Sequence, residues 1–108
     1  MPPRWVIDTN WLLDLWVFND PRAAPLRHAI ETGQVQWLYC ERMQAEWGRV
    51  LQYPAIAPHA ARQPHATTVF AQWGQACETP TRTAVRCTDA DDQVFLDLAL
   101  QERASVLS

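Results

Sequence analysis

Short apolar segments typical of buried strands alternate along this chain with longer segments typical of helices, and this alternation restricts the possible folds most. The four strand segments are residues 5–7, 35–40, 83–87 and 105–107. Continuous apolar runs of this length are typical of strands covered on both faces. Strands separated by helices form parallel βαβ units. The sequence therefore predicts an α/β fold, a three-layer α/β/α sandwich with a parallel, Rossmann-like sheet.

The helical segments are defined by their apolar periodicity and by their end signals. A helix from near Asn10 is apolar nearly all round, which indicates that it is buried or docks on another subunit. Asp20 and Pro21 open a segment that runs through Ile30 and ends at Gly33. Residues 54–64 contain three prolines and are predicted to be a loop. The remaining helices are 41–52, with apolar face Met43, Trp47, Val50 and Leu51; 65–78, with face Val69, Phe70, Trp73 and Cys77; and a last one with face Val94, Phe95, Leu98 and Ala99.

Composition limits the functional classes. The 108 residues predict a single domain, 1–108, and the net charge of −3 argues against binding nucleic acid through a bulk positive field. All nine basic residues are arginine, so phosphate contacts must be made by guanidinium groups. There is no apolar stretch of membrane-spanning length, and the N-terminal residues enter a strand without a signal peptide, so we expect a cytoplasmic protein with no membrane contact. Cys40, Cys77 and Cys87 lack disulfide or zinc spacing and are expected to be packed thiols.

Acidic residues follow three of the predicted elements. Asp8 ends the first strand, Glu46 lies in the helix after the second strand, and an acidic group follows the third strand. That group consists of Asp89, Asp91 and Asp92. One or two of these acids are explained by helix capping, but three like charges repel one another unless a cation is present. Because a parallel sheet brings these points to one edge, the sequence predicts a site for Mg²⁺ or Mn²⁺ there.

Two motifs resemble those of the PIN-domain ribonucleases, most closely the toxin components of bacterial toxin–antitoxin pairs that are called VapC-like. They are "VIDTN", residues 6–10, and "DADDQVFLDLAL", residues 89–100, together with an acid in the helix after the second strand. The resemblance covers essentially the whole chain. It implies a metal-dependent endoribonuclease whose catalytic acids are Asp8, Glu46 and Asp92.

Further roles are predicted around this site. Asp91 would join the metal ligands, and the resemblance implies that Asn10 orients the first acid or a bound water. Arg42 and Arg49 flank Glu46 at helical spacings and are interpreted as contacts to RNA phosphates, although solvated surface arginines are the simpler reading of either one alone. The implied products carry a 5′-phosphate and a 3′-hydroxyl, because water attacks rather than the ribose 2′-hydroxyl. RNA, a cognate antitoxin and a second copy of the chain are the expected partners.

One departure from the family pattern leaves an alternative open. Family members carry a further acid just after the last core strand, and the sequence ends at Ser108, about where it would appear. Either the C-terminal part is shortened, which would weaken the metal site, or the site works with the three acids plus Asp91 or Asp89. The alternative function is therefore a catalytically impaired PIN-like module that binds a protein or RNA. An aspartyl-phosphate phosphatase is disfavoured, because that chemistry needs a second Asp where this chain has Asn10.

Aromatic and histidine residues give weaker signals. Trp5, Trp37, Trp47 and Trp73 are predicted to pack in the core. Trp11 and Trp16 are predicted to form a subunit or antitoxin interface, since one short helix carries both. His28, His59 and His65 lack ligand spacing and are expected at the surface.

Overall fold

A parallel sheet forms the centre of the protein in the computed structural model, which describes residues 2–78 and 93–107. The strands are β1 (Arg4–Ile7), β2 (Gln36–Tyr39), β3 (Gly74–Ala76) and β4 (Ser105–Leu107). Their order is β3-β2-β1-β4, and each neighbouring pair is parallel. In the register of the sheet, Trp5 lies beside Trp37 on one side and Ser105 on the other. The predicted α/β fold with a parallel sheet is confirmed.

Helices connect the strands and cover the sheet. They are α1 (Thr9–Trp16), α2 (Ala24–Glu31), α3 (Glu41–Val50), α4 (Ala57–Ala60), α5 (Val69–Trp73) and α6 (Gln93–Glu102), with a short 3₁₀ turn at Pro21–Ala23 before α2. Asp20 caps that turn, as the sequence predicts, because its side chain accepts a hydrogen bond from the backbone N–H of Arg22. Within residues 2–78 and 93–107, no helix is long and apolar enough to cross a membrane.

The core confirms most of the predicted apolar faces. The faces of α3 and α6 are buried through Met43, Trp47, Val50, Leu51, Val94, Phe95, Leu98 and Ala99. Among the strands, Val6, Ile7, Trp37 and Leu38 are completely buried. Trp5 and Trp73 are partly buried against the same cluster. The periodicity therefore identified burial correctly at these positions, because each face is a local pattern repeated over two or more turns.

Two predictions about the segment from 54 to 78 are wrong. The proline-rich stretch contains the single helical turn α4, and the helix predicted over 65–78 extends only over Val69–Trp73. The chain leaves that helix at Gly74 and enters β3 directly, pairing with β2. Glycine favours the departure because it is a poor helix former, and pairing with β2 provides the backbone hydrogen bonds instead. The strand predicted at 83–87 lies outside the described residues.

Trp16 is a core residue rather than the interface residue that the sequence predicts. Its side chain is 4% exposed and stacks on Trp37 with ring centroids 6.1 Å apart. The guanidinium of Arg27 lies 5.1 Å from the centre of its ring, in the geometry of a cation–π contact. Trp11 packs partly buried against the core. The predicted interface on α1 thus loses Trp16, because the helix turns this residue towards the sheet.

Candidate metal centre

Asp8 occupies the junction between the first strand and the first helix. Its backbone N–H donates to the carbonyl of Leu107 at 2.9 Å, which continues the pairing of β1 with β4. Its side-chain Oδ1 accepts a hydrogen bond from the N–H of Trp11 at 3.0 Å and so caps α1. A carboxylate has two oxygens, and this cap uses one of them. The other oxygen is therefore able to serve a ligand while the helix stays capped.

The strand order makes this junction a natural binding position. From β1 the chain crosses to β2 on one side, whereas β4 returns to the opposite side of β1. In open parallel sheets, ligands bind outside the carboxyl ends of the strands at such a reversal of strand order. Asp8 follows β1 directly and therefore lies at this switch point.

Glu46 reaches the same region from α3. This helix follows β2 immediately after the buried Cys40, and its inner face contains Met43, Trp47 and Val50. Glu46 lies at the border of that face and is half-buried. The position at the border explains how a charged side chain of an amphipathic helix remains accessible from a cavity while its neighbours pack in the core.

One cavity brings the two acids together. Its volume is about 370 Å³, within the range of small-ligand pockets. The residues that line it come from α1, α3, the segment after α3 and α6: Asp8, Thr9, Asn10, Leu13, Glu46, Val50, Tyr53, Ala55, Ile56 and Phe95. We call this the acidic cavity. It contains the predicted residues Asp8, Asn10 and Glu46, although they are distant from one another in the sequence.

A second, smaller cavity is also lined by Glu46. It has a volume of about 80 Å³ and is lined by Arg42, Glu46, Arg49 and Val94. We call it the arginine cavity. Both arginines are exposed, and within the part of the chain that the structure describes neither forms an ion pair. Their guanidinium groups are thus available to an anionic ligand beside Glu46.

The donors in the acidic cavity suit a hard divalent cation. Carboxylate and amide oxygens are preferred ligands of Mg²⁺ and Mn²⁺, and such ions usually keep several waters when bound to few carboxylates. Over residues 2–78 and 93–107, no group of three His, Cys, Asp or Glu side chains is close enough to hold a metal. The other predicted acids, Asp89, Asp91 and Asp92, lie outside the described residues.

Other candidate nucleophiles and ligands lie away from this centre. Cys40 is completely buried, and burial together with the charge of Glu102 raises the pKa of the Cys77 thiol. A thiol with a raised pKa is a poor nucleophile and a poor metal ligand at neutral pH. The three histidines are exposed, as predicted, and His59 makes an edge-on contact with Phe18.

The sequence interpretation missed the apolar part of the cavity wall. Tyr53 and Ile56 line the acidic cavity, whereas the sequence predicts only that Ile56 lies in a loop and gives Tyr53 no role. Phe95 was predicted as a core residue and is also part of the wall. A large aromatic residue just before Pro54, where the helical pattern stops, was the available signal.

Fold and site together define a parallel α/β protein with an acidic cavity at the switch point of its sheet. The sequence matches the PIN domain family over residues 4–107, and the chain belongs to that family. PIN domains are generally nucleases that need a divalent metal ion and act on RNA. No curated protein gives a significant match to the chain.

Proposed function

We propose that this protein is an Mg²⁺- or Mn²⁺-dependent endoribonuclease and the toxin of a toxin–antitoxin pair. The observation that carries the nuclease proposal is the acidic cavity, where Asp8 and Glu46 from different parts of the chain share one wall at the switch point. Family membership supports the same chemistry. The toxin assignment is supported by the VapC-like pattern of the two sequence motifs.

In this proposal Asp8, Glu46 and Asp92 hold the metal, and Asp91 contributes to the same site. When bound, the ion supplies an activated water and stabilises negative charge on the phosphoryl oxygens. Glu46 or Asp92 accepts the proton from the attacking water. Asn10, which lines the acidic cavity, orients Asp8 or a water molecule. The water oxygen bonds to phosphorus as the bond from phosphorus to the 3′-oxygen breaks, and that oxygen takes a proton from solvent, which gives a 5′-phosphate and a 3′-hydroxyl.

Arg42 and Arg49 are proposed to bind the phosphates on either side of the cleaved bond. Their exposed position around the arginine cavity, next to Glu46, supports this role. Planar guanidinium groups bind phosphate through paired N–H donors. The protein therefore needs no overall positive charge to hold its substrate.

The decisive experiment compares two acids of the same helix. Asp8→Asn removes the charge at the acidic cavity but keeps a good helix cap, because Asn is as effective as Asp at that position. Asp14→Asn is the matched control, because Asp14 lies on α1 and lines a different cavity. Asp8→Asn should slow Mn²⁺-dependent RNA cleavage by about a hundredfold or more, because the transition state loses several kcal/mol of stabilisation by the metal. Cleavage by Asp14→Asn should match the wild type.

Two results would contradict the nuclease proposal. Cleavage that survives Asp8→Asn would show that the activity arises elsewhere or from a contaminant. Absence of both cleavage and Mn²⁺ binding, measured by calorimetry on the wild-type protein, would favour the impaired binding module instead.

The toxin role has a separate test. Expression of the wild-type chain in bacteria should arrest growth, and expression of Asp8→Asn should not. A small protein encoded beside the gene should relieve the arrest and co-purify with the chain. Normal growth on expression of an active nuclease would remove the toxin assignment and leave the enzyme.

A further inference from the structure

Tyr53 places an exposed aromatic ring at the acidic cavity. Its side chain is 52% exposed, although large apolar and aromatic residues usually bury most of their surface. Over the described residues, the other exposed large hydrophobic side chains are Phe18, Leu100 and Val106, and none of these lines the acidic cavity. The exposure of Tyr53 is therefore associated with the site.

The backbone of Tyr53, and not its ring, holds the local structure. Its N–H donates to the carbonyl of Val50 at 3.1 Å. Its carbonyl accepts hydrogen bonds from the N–H groups of Ile56 and Ala57, both at 2.8 Å. These bonds form with any side chain at position 53, so the turn after α3 does not require an aromatic ring. The ring is free to serve a ligand.

We propose that Tyr53 stacks on a nucleobase next to the cleaved phosphate, which requires that this base is unstacked from its neighbours. This inference rests on the proposed ribonuclease function. Aromatic side chains bind the faces of unpaired bases with little dependence on sequence. A base inside an RNA helix is stacked on both faces and offers no free face to such a ring. Leu13 and Ile56 supply apolar wall in the same cavity.

The two cavities that Glu46 lines match the alternation of bases and charged phosphates along an RNA strand. The acidic cavity has the aromatic and apolar wall, and the arginine cavity has the guanidinium groups of Arg42 and Arg49. Glu46 lines both. A strand that crosses Glu46 places a base on the Tyr53 side and a phosphate on the arginine side. The inferred substrate path therefore runs from one cavity to the other.

Steady-state kinetics on a short fluorescent single-stranded RNA with Mn²⁺ test the role of the ring. Tyr53→Ala should raise KM by about 5- to 150-fold, the range that corresponds to loss of one stacked base. Tyr53→Phe should restore the wild-type KM, because the ring is kept. Phe18→Ala is the matched control, since Phe18 is 42% exposed and contacts His59 outside the acidic cavity. Its KM should equal that of the wild type.

An RNA that lacks one base locates the stacked position. Removal of that base should raise the KM of the wild-type enzyme but cause little further rise in Tyr53→Ala, because the two changes remove the same contact. The intact RNA annealed to its complement should be cleaved at least about tenfold more slowly than the single strand. Unpairing a base in the duplex costs a few kcal/mol.

The outcomes separate this inference from the nuclease proposal. If the wild-type enzyme cleaves RNA and Tyr53→Ala has the same KM as Phe18→Ala, the stacking role is overturned. The exposed ring would then be assigned to a contact with another protein. Equal cleavage of single-stranded and duplex RNA would show that the base next to the cleaved phosphate need not be unstacked, and it would overturn the stacking role. A wild-type protein that cleaves no RNA would remove both proposals together.

Discussion

Trp47 links the helix that carries Glu46 to the segment that precedes α5. The indole Nε1–H donates to the carbonyl of Ala66 at 2.7 Å, and both residues are buried. The bond spans 19 positions in the sequence. Since Trp47 follows Glu46 directly, the same contact helps to fix the part of α3 that carries Glu46 relative to the segment before α5. A buried carbonyl that loses its donor is costly, because no water replaces it.

Trp47→Phe should therefore lower the free energy of unfolding by about 1–3 kcal/mol, from the unpaired carbonyl of Ala66 alone. Loss of ring volume adds to this change. Urea unfolding followed by circular dichroism measures it. Trp11→Phe is the control, because Trp11 is only partly buried, and its effect should be clearly smaller. Equal losses in the two variants would show that ring size and not the hydrogen bond determines the cost.

The passage from α5 to β3 shows how close packing determines an element boundary. β3 starts at Gly74, the residue directly after the end of α5. A Cβ at position 74 would lie 2.7 Å from Cδ1 of Tyr39 and 2.8 Å from the backbone oxygen of Phe70. Both distances are too short for nonbonded carbon and oxygen contacts. Glycine therefore lets the third described strand pack against β2 immediately after the helix.

Gly74→Ala should destabilise the protein by about 1–3 kcal/mol, because overpacking displaces β3 or the ring of Tyr39. Gly48→Ala provides a matched glycine control. Gly48 is an exposed position inside α3, and a Cβ there meets nothing within 4 Å. Its replacement should stabilise the protein by up to about 1 kcal/mol through helix propensity. Thermal unfolding of both variants measures whether each substitution raises or lowers stability. A stabilising effect of Gly74→Ala would contradict the packing argument.

The two ends of the described chain are joined through β1 and α6. Nη1 of Arg4 donates to the carbonyl of Glu102 at 2.7 Å, and Nη2 contacts its Oε1 at 3.1 Å. These residues are 98 positions apart. β4 then returns beside β1 after a turn at Arg103, whose φ of 53° is in the left-handed region. The contact thus ties the end of α6 to β1, the strand that Asp8 follows.

Arg4→Met should lower the free energy of unfolding by about 1 kcal/mol, as expected for a partly exposed ion pair with an added backbone hydrogen bond. The loss should decrease at high salt, because salt screens the charged part of the contact. Arg62→Met is the control, since Arg62 is exposed and forms no side-chain bond within the described residues. Urea unfolding at low and high salt tests both. If Arg4→Met is as stable as Arg62→Met, β1 and α6 are held together by packing alone.

Much of the candidate site was predictable because its signals are local. Asp8 follows a strand and caps a helix, and Glu46 borders an amphipathic face, so a parallel sheet implies that both approach one edge. The shared acidic cavity agrees with that expectation for these two acids. The contribution of Asp91 and Asp92 stays a prediction. For Tyr53 the sequence offers only an aromatic residue just before Pro54, and this signal does not indicate the cavity, because only the path of the chain after α3 brings Tyr53 there.

The sequence by itself determined the alternation of strands and helices, the buried faces of α3 and α6, and the family of the protein. These depend on side-chain periodicity and on motifs, which are properties of neighbouring residues. Only the tertiary structure decided that the chain leaves a helix at Gly74, that Trp16 faces Trp37, and that Tyr53 meets the acidic cavity. Each of these depends on contacts between residues distant in the sequence, whose energy exists only once the sheet has brought them together.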